Sequence, residues 1–352
     1  MPAIENATAF AVRDFLSIDK DDTDNLVVCV CGAFRLPAPG RPASKELLLA
    51  DEQPEPLSED VYWGEPRSSS LRYEGQSAYL RPGTDIYVNG HAWAPLGRPV
   101  KEMLAAVKVG PCRKGIQVFG DRVWRRGITG WQPSTPVPFA SMPLRYERSF
   151  GGPTAPGERS RLYEDRNPLG RGFYPESARD AVDQPLPNLE DLVQRLTSPT
   201  ERMAPVGFSA IARSWQPRLS LGGTYDQKWV EQRAPLWPRD FDVRFFHAAA
   251  PGLVATPWLE GGEEVVLSGL APDGAFAFHL PRRRLLAKAV FRGRSERRRM
   301  LLDAVLVEPD ERLLRLYWRV AFPVEEGLAQ HEYTLVRELE PWEEAPPPHA
   351  PA

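Results

Sequence analysis

The chain has 352 residues, enough for more than one core, and a formal net charge of only -3. That balance lacks the polycationic signature of a nucleic-acid binder, and no run of 18 apolar residues occurs, so neither nucleic acid nor a membrane is an expected partner. Its 37 prolines, about twice the usual share, predict many short elements joined by fixed turns, while an aromatic content of 10% argues against disorder.

The first residues, MPAIENATAFAVRD, contain no basic stretch followed by an apolar one, so no export signal is expected. Residues 26–36 form a valine-rich apolar run, which predicts a buried strand. Cys29 and Cys31 lie two apart in that run and share a face. With Cys112 the cysteine count is odd, which together with the missing signal predicts reduced thiols, a cytoplasmic location and packing roles rather than redox or metal chemistry.

A proline-rich loop follows to about residue 60. Strands are then predicted at 85–92, 105–109 and 115–124, separated by turns such as Arg81-Pro82-Gly83 and Val109-Gly110-Pro111. Residues 153–185 are polar and rich in Gly, Arg and Pro, the composition of a long loop or a domain boundary. A helix is predicted next: Asn188 as N-cap, Leu189, Leu192, Val193 and Leu196 at helical spacing, and Pro199 as the stop. A second short helix is predicted from Thr224, with Gln227 at capping-box spacing and Pro235 beyond it. Further strands are predicted at 264–268, 275–280, 285–291, 300–307 and 313–322.

The expected fold is therefore mainly β, of the α+β kind, with two β-rich domains of antiparallel strands and one or two short helices. The expected organisation is an N-terminal β-rich domain at 1–152, a loop and helix at 153–199, a C-terminal β-rich domain at 200–340 and a disordered tail, PWEEAPPPHAPA, at 341–352.

No residue constellation forms a convincing reaction centre. The five histidines are scattered without metal-ligand spacing, and no GxSxG or phosphate-binding glycine motif is present, so no metal, cofactor or catalytic residue is assigned. Asp226, Asp240 and Asp242 could serve a hydrolytic or carbohydrate-active enzyme, but nearby Arg218, Arg239 and Arg244 make loop-fastening ion pairs the simpler reading. Residues 282–299 carry nine basic residues and one acidic one; a solvated edge that blocks strand pairing is expected there in preference to a nucleic-acid surface. The stretch 215–246 differs from the rest. Its tryptophans, prolines and arginines describe a rigid recognition surface, and Trp215, Tyr225, Trp229, Arg244 and Phe245 are its candidate partner-binding residues.

A set of short motifs spread over nearly the whole chain carries a family resemblance. They include SSLRYE (69–74), RPGTDIYVNGHAWAP (81–95), GDRVW (120–124), MPLRYERSFGG (142–152), NPLGRG (167–172), GTYDQKW (223–229), PRDFDVRFF (238–246) and GGEEV (261–265). Through them the chain resembles the domain-of-unknown-function proteins encoded beside type VI secretion spike and toxin genes in Gram-negative bacteria. The resemblance implies a non-enzymatic adaptor or chaperone that holds a toxin effector in the cytoplasm and helps load it onto the VgrG/PAAR spike. One departure is Arg81, where the family pattern has lysine.

Overall fold

The strands of the main sheets are, in chain order, β1 (Ala3–Ala7), β2 (Ala11–Ile18), β3 (Asp24–Arg35), β4 (Thr84–Val88), β5 (Glu102–Val109), β6 (Cys112–Phe119), β7 (Leu189–Glu190), β8 (Val254–Ala255), β9 (Glu264–Ser268), β10 (Phe276–His279), β11 (Leu285–Phe291), β12 (Arg294–Arg299), β13 (Leu301–Glu308), β14 (Leu313–Pro323) and β15 (His331–Glu338). They come from a computed structural model that describes residues 3–40, 46–128, 130–154, 162–175, 178–324, 327–340 and 342–343. The expected tail falls, apart from Trp342 and Glu343, outside the described residues.

The fold is mostly β, and the predicted strands are present. The valine-rich run lies in β3, which is buried from Asn25 through Phe34. It pairs antiparallel with β2 on one side and β14 on the other. A strand covered on both faces has no polar alternation to show, which is why its sequence reads as one apolar block. Gly32 is required there: a Cβ would come within 2.9 Å of the Phe10 ring and 3.1 Å of Trp318, whose rings stack at 5.6 Å. Cys29 and Cys31 are buried in this core, and desolvation pushes both thiols up to about 12, so packing is what they do.

Three sheets share one body of buried side chains. The six-stranded sheet runs β8-β4-β13-β14-β3-β2, the five-stranded one β7-β6-β5-β9-β10, and the four-stranded one β1-β15-β11-β12. Strands from the segments 1–152 and 200–340 interleave in all three: β3 pairs with β14, β5 with β9 and β1 with β15. Most pairings are antiparallel; β4 with β13 and β1 with β15 are parallel.

The basic stretch folds as the hairpin β11–β12, with β12 at a sheet edge. Arg294 donates to the Pro323 carbonyl, and Arg298 pairs with Glu296 and donates to the carbonyl of Ala321. A charged edge strand discourages further pairing, the role expected of it.

The helix predicted from Asn188 does not form. Asn188 is fully buried, and its side-chain amide donates to the Phe119 carbonyl and to Asp121. Leu189 and Glu190 pair with Val118 and Gln117 as β7 instead. Glu190 is held by Arg122 at 2.7 Å. Of the residues at helical spacing, Leu192 and Val193 are exposed, so no apolar face existed for a helix to bury. Leu196 packs with Trp124, Phe150 and Met203 in a separate small cluster.

Candidate functional site

The stretch 215–246 folds into two short helices, α1 (Arg218–Leu221) and α2 (Gln227–Gln232), followed by a 3-10 turn at Val243–Phe246. Prolines at 217, 235 and 238 keep both helices short. The N-cap of α2 is Asp226 and not Thr224: Asp226 Oδ1 accepts from the Trp229 amide at 2.8 Å. The Thr224 hydroxyl and amide are both given to Asp240, at 2.8 and 3.0 Å. Asp226→Ala should therefore lower stability by about 1 kcal/mol, read as a shifted urea midpoint; an unchanged midpoint would mean the cap contributes nothing.

The five residues expected at a partner surface separate by exposure. Trp215 is buried, edge-on to Tyr146 with centroids 5.5 Å apart, and its role is packing. Phe245 is half-buried among Trp237, Phe241 and Phe246. Tyr225 is 54% exposed and stands edge-on to the half-buried Trp229, at 4.7 Å. Trp229 is oriented by donating from Nε1 to the Leu236 carbonyl. The Arg244 guanidinium is exposed and forked onto Asp242. Leu219 on α1 and Val230 on α2 are also more than half exposed. Beside Trp229 lies a cleft of about 320 Å³ bounded by Lys228, Arg239 and Asp240.

The three aspartates of the enzymatic alternative act as fasteners here. Asp226 caps α2, Asp240 ties 224 to 240, and Asp242 caps the 3-10 turn by accepting from the Arg244 amide. Hydrogen bonds from Thr224 hold the Asp240 carboxyl below its ordinary value, and those from Arg244 do the same for Asp242. A general acid needs the opposite shift.

Beneath the helices is a buried ionic network that sequence reading did not assemble. Its centre is Arg81, fully buried, with Glu74 at 2.8 Å, Asp85 at 3.4 Å and Asp303 at 3.7 Å. Glu74 also takes Arg218 of α1 at 2.5 Å and Arg213 at 3.7 Å. Asp85 accepts from the Tyr87 hydroxyl at 2.6 Å and from the Ala248 amide at 2.7 Å, and His247 Nδ1 lies 2.6 Å from it. Asp303 pairs with Arg319, which donates onward to the Ala78 carbonyl and the Gln76 side chain.

Local backbone features aim these groups. Asp303 is the extra residue of a β-bulge, since Leu302 pairs with Trp318 and Ala304 with Tyr317. A bulge redirects one side chain out of the ladder, here toward Arg81 and Arg319. Burial alone would raise the Glu74 carboxyl, but Arg218, Arg81 and Arg213 outweigh it and hold it below the usual range. Burial acts likewise on Asp85, where the hydrogen bond from His247 and the charge of Arg81 prevail and lower it.

The network clamps the surface helices to the sheet. Arg81 Nε donates to the Phe246 carbonyl and Arg218 Nε to the Phe245 carbonyl, both at 3.0 Å. Farther out, Arg233 pairs with Asp22 and Trp237 Nε1 donates to the Ile18 carbonyl, tying the end of the stretch to the β2–β3 turn. Arginine at 81 suits this position because its fork serves carboxylates and a carbonyl at once, which a lysine ammonium reaches less completely.

Among the described residues, no helix is long and apolar enough to cross a membrane. A family model described as an uncharacterized protein conserved in bacteria (DUF2169) matches residues 21–319. No curated protein and no solved structure matches the chain.

Proposed function

The chain belongs to this uncharacterized bacterial family, and we propose that it is a protein-binding adaptor rather than an enzyme. Its client would be a toxin effector, held in the cytoplasm and passed to a VgrG/PAAR spike. One observation carries the binding role: Leu219 of α1, Val230 of α2 and Tyr225 just before α2 are each more than half exposed, on a segment clamped from below by Glu74, Arg81 and Arg218. Exposed apolar side chains on a fixed scaffold are what a partner surface requires, because little ordering entropy is then lost on binding. The type VI assignment of the client rests on the motif resemblance.

The test is co-purification. Tagged protein expressed together with the genes that flank its own should retain a toxin or a spike protein through size exclusion. Recovery of neither, with both soluble in the same cells, would overturn the proposal.

A further inference from the structure

Three of the motifs that the adaptor reading leaves without a role, at 120–124, 142–152 and 167–172, meet around a cleft of about 570 Å³. That volume falls in the range of small-ligand sites. Arg122, Arg125, Arg148 and Arg171 line it, and among the described residues Asp121 is the one carboxylate beside them in its wall. The backbone under two of these cations is fixed. Phe150–Gly151 pairs in parallel with Arg171–Gly172, and the buried Asn167 donates to the carbonyls of Tyr146 and Phe150 at 2.8 and 2.9 Å. Gly151 is required for that approach, since a Cβ would lie 2.2 Å from the Asn167 carbonyl oxygen. Arg148 and Arg171 therefore stand on segments that cannot shift independently.

The charges of the cleft are matched except at Arg171. Arg122 pairs with Glu190, Arg125 with Asp183 and Arg148 with Asp121. Arg171 has no carboxylate partner among the described residues. Its Nε donates to the Glu147 carbonyl at 3.1 Å, and its two terminal nitrogens, reached by solvent, are uncommitted. Burial and the nearby charge of Arg148 hold this guanidinium below its ordinary value, a penalty that an anion in the cleft would offset. Arg148 gives one nitrogen to Asp121 and Asn188 and has others to give. The Ser134 hydroxyl, also in the wall, accepts from the Val123 amide at 3.0 Å and keeps its own proton to donate.

Donors on three side chains suit an anion with three acceptor oxygens better than a carboxylate with two, and a guanidinium fork matches phosphate oxygens in pairs. Among the described residues no aromatic ring lines the cleft, so the anionic group is what it can recognise. We propose that this cleft binds a phosphate group, carried by a small phosphate ester or free as inorganic phosphate. It shares no residue with the α1–α2 surface and does not depend on the adaptor reading.

Isothermal titration of the full chain tests it with glucose 6-phosphate and with inorganic phosphate, and succinate, a dianion with carboxylates only, is the control at equal ionic strength. At least one phosphate should bind, about tenfold or more tighter than succinate. Binding of glucose 6-phosphate alone identifies an ester as the ligand, binding of inorganic phosphate alone the free ion, and binding of both shows that the phosphate group suffices. Arg171→Met should weaken binding about tenfold or more. Val137→Glu should abolish it with the melting temperature unchanged, because Val137 is an exposed residue of the cleft wall and the new carboxylate would take the anion's place. This second variant decides the matter should Arg171→Met fail to fold. No binding of either phosphate, equal binding of succinate, or wild-type affinity in Val137→Glu or in folded Arg171→Met would overturn the proposal.

Discussion

Glu74→Ala should destabilise the protein by about 3–5 kcal/mol, measured by urea denaturation, because it strands buried cations. Glu74 is the shared anion of Arg81 and Arg218, both side chains at most 4% exposed. Removing one partner of a buried pair costs more than the pair contributes, since the remaining charge stays desolvated. The damage should also spread outward. Arg218 holds the Phe245 carbonyl and Arg81 the Phe246 carbonyl, so the α1 segment should exchange its amides faster in Glu74→Ala than the β3 core does. A loss below about 1 kcal/mol would show that water or neighbouring acids replace Glu74 and that the network is not a clamp.

The same site sets the acid limb of stability. The folded-state carboxyls of Glu74 and Asp85 lie below their ordinary values of 4.5 and 3.8. A depressed carboxyl means that the unfolded chain takes up the proton first. The contribution is therefore complete above those ordinary values and drains away as the pH falls through the lower folded-state values. Urea midpoints should begin to drop only as the pH falls below about 5 and keep dropping through the lowered folded-state values, and Glu74→Gln, which has no proton to gain, should drop less steeply. Parallel curves would remove Glu74 from the linkage.

Much of the fold was legible, and the reasons are local. The runs at 26–36, 285–291 and 313–322 are valine-, leucine- and aromatic-rich, and each became a strand within a few residues of its expected ends. Among the strands that went unread are β1, β2 and β15, which mix charged residues with apolar ones; β1 and β2 are edge strands at most partly buried, and β15 is buried only at His331, Thr334 and Val336. The helix expected at 188 failed because helical spacing states only which residues share a face, whereas partners from Phe119 and Val118 claimed Asn188 and Leu189 first. The buried network was illegible for a related reason. Arg81 and Asp303 are 222 residues apart, and nothing near either one announces the other. The motifs at 69–74 and 81–95 pointed to the right residues without saying that Glu74, Arg81, Asp85 and Tyr87 meet. Within the stretch 215–246, composition could not separate the buried members from the exposed ones.

That separation gives the second large effect. Tyr225→Ala should weaken binding of the client protein by about 2 kcal/mol or more, roughly 30-fold, with the melting temperature unchanged. Tyr225 is more than half exposed, its ring meets Trp229, and its hydroxyl has an aromatic body to present at little entropic cost. Trp215→Ala should do the reverse. Its indole is buried against Tyr146, so truncation leaves a cavity that costs about 3–5 kcal/mol of folding stability, and any loss of binding should track the unfolded fraction. Arg244→Ala falls between: the guanidinium is solvated and already forked to Asp242, so its removal should slow association in low salt more than it speeds dissociation. The measurement is a binding isotherm beside a thermal melt for each variant. Normal affinity in Tyr225→Ala and in Trp229→Ala, both folded, would move the interface away from α1 and α2, and the clamp beneath them would then serve the fold alone.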